Sequence, residues 1–137
     1  MRTVEERMTR QVVTLTEDAS LREAVALLQR HRIRHIPVVH EARLVGIITD
    51  RDVKRATPSL LSGISQEEYV RVLVQTHVSQ VMTRNPFSVT PSTSLKDATK
   101  LLAERKFGAL PVVEGDRLVG ILTNTDLLRA FYESLED

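Results

Sequence analysis

Residues 36–56 read IPVVHEARLVGIITDRDVKRA, and residues 110–130 read LPVVEGDRLVGILTNTDLLRA. Laid one over the other, the two stretches need no gap. The register that aligns them, n over n+74, also puts 8–28 (MTRQVVTLTEDASLREAVALL) on 82–102 (MTRNPFSVTPSTSLKDATKLL). About 21 of some 49 overlaid positions are identical, and most of the others exchange like for like. The register reaches back to Val4 over Val78. A gapless match of that length means that one supersecondary unit is present twice.

Each copy parses in the same way. Val12–Leu15 and Phe87–Val89 are short β-rich runs. Ser20 and Ser94 follow as N-caps, with an oxygen free to accept from first-turn N–H groups. Leu21, Ala24, Leu27 and Leu28 recur at helical spacing, as do Leu95, Ala98, Leu101 and Leu102. HIPVV and ALPVV carry a proline that suits a strand and not a helix interior. A short turn, HEAR or EGDR, joins each to LVGII or LVGIL, which predicts an antiparallel hairpin. DRDVKRA and NTDLLRAFYESLE then read as helices. Between the copies, Ser65-x-x-Glu68 is a capping box opening a connecting helix with apolar Tyr69, Leu73 and Val74. The expected organisation is a first copy over 1–64, a connecting helix over 65–77 and a second copy over 78–137. The expected fold is α+β (mixed α/β): two tandem β-α-β-β-α units. One such unit is too small to cover its own apolar sheet face, so the two should pack with pseudo-twofold symmetry and paired clefts.

Composition narrows the function. The 137 residues, 42% of them hydrophobic, suit a globular chain that buries roughly two thirds of its unfolded surface. With no cysteine, disulfides, zinc-thiolate sites and a cysteine nucleophile are excluded, and a cytoplasmic location is expected. No apolar run approaches the roughly 20 residues that cross a membrane. A net charge of +1 and few aromatic residues argue against a nucleic-acid partner. His31 and His35 are four apart, but Pro37 puts His35 on a strand, so they form no helical metal pair. No Ser-His-Asp arrangement or phosphate-binding glycine loop is present, so neither catalysis nor a resident cofactor or metal is expected.

The motif written twice is Gly-apolar-apolar-Thr-x-x-Asp, at 46–52 and 120–126. Thr49 and Thr123 can cap the helices that follow, with Asp52 and Asp126 placed where a helix dipole favours negative charge. Asp has a short stem and should reach back to the cap poorly. The same geometry can also present a hydroxyl to a phosphate and a carboxylate to the two hydroxyls of a ribose. Gly46 and Gly120 would permit close approach of the backbone. Both uses are open on spacing alone.

In order, spacing and duplication, these motifs resemble a tandem pair of CBS domains, the module named from cystathionine β-synthase, over nearly the whole chain. The resemblance implies a regulatory module, not an enzyme, that senses AMP, ADP or ATP, with NAD or S-adenosylmethionine as further candidates, in clefts between the repeats. It places phosphate and ribose on Thr49, Asp52, Thr123 and Asp126. It places adenine on Val13 and Thr14 with Arg34, His35, Ile36 and Pro37, and on Phe87 and Ser88 with Gly108, Ala109, Leu110 and Pro111. It implies a homodimer and a separate effector protein. Leu127, Leu128, Phe131 and Leu135 would supply the dimer surface or else cover the chain's own core. A protein-interaction or nucleic-acid-binding pair without nucleotide sensing is the alternative.

The copies differ in charge. Arg34, His35 and Arg51 in the first stand where the second has Gly108, Ala109 and Thr125. The first copy is therefore expected to take the phosphate, with Arg34 in contact, and the second a neutral nucleoside portion; a crossed arrangement, in which a side chain of one repeat serves a nucleotide held mainly by the other, is left open. Arg30 and His31 read as cations favoured at a helix C-terminus.

Overall fold

The computed structural model describes residues 2–136, Leu60 in its backbone only. In chain order the elements are β1 (Leu15–Thr16), α1 (Leu21–His31), β2 (His35–His40), β3 (Arg43–Thr49), α2 (Asp50–Ala56), α3 (Gln66–Gln75), β4 (Thr83–Arg84), α4 (Leu95–Arg105), β5 (Ala109–Glu114), β6 (Arg117–Thr123) and α5 (Asn124–Ser134). The fold is mixed α/β, as the two sequence periods require.

The elements form two compact units that cut across the repeats. One runs Val13–Pro86; the other joins the N-terminal segment, up to Val12, to the chain from Phe87 onward. In the first unit β1 lies parallel to β2, with Leu15 opposite Val38. β2 is antiparallel to β3, His35 facing Thr49 and Val38 facing Gly46. β4 adds to the other side of β3, Thr83 opposite Ile47. In the second unit β5 and β6 repeat the hairpin, Ala109 facing Thr123. There the strip beside β6 is supplied by Thr9, bridged to Ile121 through two backbone hydrogen bonds of 2.8 and 3.0 Å.

The cores show the same exchange. Leu21, Ala24, Leu28, Ile36, Val38 and Ile48 pack with Val78 and Met82, which belong to the second sequence copy. Leu95, Ala98, Leu102, Leu110, Val112 and Leu122 pack with Val4 and Met8 from the first. The segment that opens each repeat completes the core around the other repeat's hairpin. The repeated glycines follow from this. A Cβ on Gly46 would stand 2.5 Å from Met82 Sδ and 3.0 Å from the Thr83 carbonyl oxygen. One on Gly120 would stand 2.7 Å from Met8 Sδ and 3.0 Å from the Thr9 carbonyl oxygen. The close approach that glycine permits is therefore to a methionine and a neighbouring strand.

The predicted helices form with the predicted caps. Ser20 Oγ accepts from Glu23 N at 3.2 Å, and Ser94 Oγ from Asp97 N at 3.0 Å. Leu21, Ala24 and Leu28 are buried and Leu27 partly so; α4 repeats the pattern. Arg30 and His31 occupy the last turn of α1, where their charge suits the helix dipole. The connecting helix α3 starts at Ser65, whose Oγ accepts from Glu68 N at 3.1 Å, but the return bond from Ser65 N to the Glu68 carboxylate is not made, so the expected capping box is half formed. Its Leu73 is buried, but Val74 is exposed.

The first strands are shorter than the sequence suggests. The run over Val12–Leu15 forms a strand only at Leu15–Thr16, and that over Phe87–Val89 reduces to one bridge, Val89 to Val112. Side-chain turns end both. Thr93 Oγ1 accepts from Thr90 N at 3.0 Å, and Thr16 Oγ1 donates to Asp18 Oδ1 at 2.7 Å. That hydroxyl, then the Asp18 backbone N–H and the nearby His77, hold the Asp18 carboxyl below its ordinary pKa. The associated stabilisation is complete above the ordinary value and is lost as pH falls through the lowered one.

Candidate functional site

The hairpins bring the expected residues of each copy together. His35 faces Thr49 across β2 and β3, and the Arg34 carbonyl oxygen accepts from Asp50 N at 3.1 Å. This ties the approach to β2 to the start of α2. Val13 and Thr14 lie just before β1, which runs parallel to β2. Val13, Thr14, Arg34, His35, Ile36, Pro37, Thr49, Arg51 and Asp52 thus all belong to one compact unit. Phe87, Ser88, Gly108, Ala109, Leu110, Pro111, Thr123 and Asp126 all belong to the other. Ile36, Pro37, Leu110 and Pro111 are fully buried, so what they can offer a ligand is backbone. Arg34 and Arg51 are exposed.

Both Thr-x-x-Asp motifs are capping boxes. Thr49 Oγ1 accepts from Asp52 N at 3.0 Å, and Asp52 Oδ2 accepts from Thr49 N at 3.0 Å. Thr123 Oγ1 accepts from Asp126 N at 3.2 Å, and Asp126 Oδ2 accepts from Thr123 N at 2.9 Å. The expectation that Asp reaches back poorly is overturned. The extended backbone of the cap residues, φ −120° and −113°, brings their N–H within reach of the shorter acid.

Capping uses only part of each pair. In the first copy, among the described residues, Asp52 Oδ1 accepts no hydrogen bond and the Thr49 hydroxyl donates none. A hydroxyl donor and a carboxylate acceptor stand together beside exposed Arg34 and Arg51. In the second copy the groups are engaged. Thr123 Oγ1 donates to Asp126 Oδ2 at 3.1 Å, and Thr9 Oγ1 donates to Asp126 Oδ1 at 3.1 Å. Asp126 is only 7% exposed, the one buried charged side chain among the described residues.

The adenine-side positions also differ. The Phe87 ring stacks on Phe107 at 5.8 Å, with the Arg105 guanidinium 5.9 Å from its centroid. Where the first copy has Arg34, the second has Gly108 at φ +80°, a conformation that resists a side chain. The absence of a side chain there has a backbone reason. Sequence reasoning assigned no role to Thr9 or Phe107. The repeated MTR at 8–10 and 82–84 was the available signal for Thr9. His31 closes α1 and His35 opens β2, so they are not neighbours on one helix. No group of three or more metal-binding side chains is present among the described residues.

A duplicated strand-helix-hairpin-helix unit with a capped Thr-x-x-Asp after each hairpin defines a tandem repeat module. The chain belongs to the CBS domain family, whose model matches residues 4–59 and 78–133. It is 37% identical over 128 residues to the CBS domain-containing protein YhcV of Bacillus subtilis, covering 93% of this chain and 84% of that one. Its structure is similar to that of CBSX2 from Arabidopsis thaliana solved in complex with AMP (TM-score 0.81, 30% identity, 97% and 98% of the two chains). It is also similar to the CBS domain pair of protein MJ0100 in complex with 5-methylthioadenosine and S-adenosyl-L-methionine (TM-score 0.80, 27% identity, 98% and 99%). No helix among the described residues is long and apolar enough to cross a membrane.

Proposed function

We propose that this protein is a regulatory module that binds an adenosine-containing nucleotide, AMP, ADP or ATP foremost, and acts by binding and not by catalysis. The observation that carries this reading is the uncommitted Thr49 hydroxyl and Asp52 carboxylate oxygen. A ribose offers two adjacent hydroxyls to a carboxylate, and a phosphate accepts from a hydroxyl and from guanidinium groups. Thr49, Asp52, Arg34 and Arg51 supply those groups, and relatives of similar structure hold AMP or S-adenosyl-L-methionine. Backbone at Val13–Thr14 and Arg34–Pro37 is the proposed adenine contact. In the second copy Phe87, Ser88 and Gly108–Pro111 would take a neutral nucleoside portion. Ligand binding transmits a signal by favouring one state over another, and only a difference in affinity between states does so. The recipient is a separate effector protein, in a cytoplasmic setting that a cysteine-free chain suits.

The test is a thermal-shift screen against AMP, ADP, ATP, NAD, S-adenosylmethionine and GMP. At about 100 times its dissociation constant, the true ligand adds roughly 2.7 kcal/mol to folding. Asp52→Ala is expected to reduce the shift to about half or less, and GMP to give a smaller one than AMP. An unmoved melting temperature with every adenosine compound would overturn the reading.

Self-association is part of the same proposal. Leu127 packs partly against the core, but Leu128, Phe131, Tyr132 and Leu135 are 67, 62, 77 and 59% exposed. They follow one another along a single stripe of α5 and its end, an apolar face suited to a second copy of itself. Sedimentation of the full chain is expected to give a dimer, and Phe131→Glu a monomer. A monomeric wild type would contradict it.

A further inference from the structure

We propose that Thr9 locks the second sugar site, so that the chain binds one nucleotide tightly, at Thr49–Asp52, and a second only weakly. This rests on the nucleotide-binding reading above and adds the residue that sets its stoichiometry. The two Thr-x-x-Asp motifs are equal in sequence and equal as caps, but unequal in what is left over. Asp52 is half-buried and keeps one carboxylate oxygen unoccupied among the described residues. Asp126 is buried and both its oxygens carry donors, Thr9 Oγ1 on Oδ1 and Thr123 N and Oγ1 on Oδ2.

The equivalent of Thr9 in the duplication is Thr83. Each sits on the outer strip beside the same position of its hairpin, Thr83 opposite Ile47 and Thr9 opposite Ile121. Thr83 is exposed, as Thr9 is, but among the described residues it donates no hydrogen bond to Asp52. Between Thr9 and Thr83, which face the same hairpin position, the difference therefore lies in one side-chain hydrogen bond, and Thr123 Oγ1 adds a second donor on Asp126. A ribose diol approaching Asp126 must displace the Thr9 hydroxyl, exchanging one protein hydrogen bond for one to ligand. A diol approaching Asp52 gives up only water. The Thr9 bond, made to a charged acceptor, contributes about a tenfold difference in affinity between the two sites, in favour of Asp52.

The experiment is calorimetric titration of the full chain with AMP, on wild type, Thr9→Val, Asp52→Ala and the Thr9→Val/Asp52→Ala double variant. Valine removes the hydroxyl and keeps the shape and the strand pairing; Thr9→Ala and a melting curve for each variant control for folding. Wild type is expected to show one tight equivalent, and Thr9→Val a second that has tightened about tenfold. The double variant should retain only that second equivalent. Two equal tight equivalents in wild type, or no change on Thr9→Val while Asp52→Ala still abolishes tight binding, would overturn the lock and leave the nucleotide reading intact. No heat from AMP, ATP, NAD or S-adenosylmethionine in any variant would overturn both.

Discussion

Removal of residues 1–10 is expected to destabilise the second compact unit far more than the first. The segment carries Val4, which is fully buried, and Met8, which is 9% exposed, both in the core built around α4, β5 and β6. It also caps and pairs that unit. Leu95 N donates to the Arg2 carbonyl oxygen at 2.9 Å, Val4 N to the Thr93 carbonyl oxygen at 2.9 Å, and the Thr9–Ile121 bridge extends β6. Deleting a buried methionine side chain alone costs about 2–5 kcal/mol. Truncation adds a valine cavity and unpaired backbone groups, so a loss of about 4 kcal/mol or more is expected, a large part of the stability of a chain this size. Met8→Ala is the milder variant, expected to cost about 2–5 kcal/mol. Urea unfolding followed by hydrogen exchange reads the result. Protection should collapse over 87–136 while amides of α1, β2 and β3 keep theirs longer. Even loss of protection along the chain, or none, would show that the exchanged segments do not carry the cores they occupy.

The two repeated aspartates should separate stability from binding. Asp126→Ala removes three donors' acceptor from a buried position; the Thr123 N–H and hydroxyl lose theirs in a half-buried setting, while the Thr9 hydroxyl, on an exposed residue, turns to water. An unsatisfied buried group costs about 1–3 kcal/mol and a lost cap about 1 more, so a melting temperature lower by roughly 5–10 °C is expected. Asp52→Ala removes only the cap bond to the Thr49 N–H in a half-buried setting, worth about 1 kcal/mol. Its larger effect falls on the nucleotide response. Equal destabilisation by the two substitutions would contradict the difference in their surroundings.

The duplication and most elements were legible because identity at fixed register, helical spacing and serine caps are local properties. The hairpins were legible from two β-rich runs joined by a short turn. Their detail was not: in the first, Glu41 and Ala42 both adopt positive φ, 48° and 69°, a conformation that the strands impose on residues with no preference for it. The exchange of opening segments left no trace in the pattern. Val4 and Met8 align with Val78 and Met82 whichever hairpin they pack on, because equal repeats offer equal partners. The role of Gly46 and Gly120 was obscured for the same reason, since the methionine each accommodates is distant in sequence. For the site, each expected set of residues falls within one compact unit because it lies on one hairpin and its flanks. The Thr9–Asp126 hydrogen bond was hidden because Thr83 has the same identity and faces the same hairpin position without making it.

A crystal structure of the full chain grown with excess AMP tests the account most directly. The predicted density has the ribose hydroxyls on the Asp52 carboxylate, the phosphate near Thr49 and the arginines at 34 and 51, and Thr9 still bonded to Asp126. A nucleotide seated on Asp126 with the Asp52 carboxylate left to water, or no nucleotide at either acid, would contradict it.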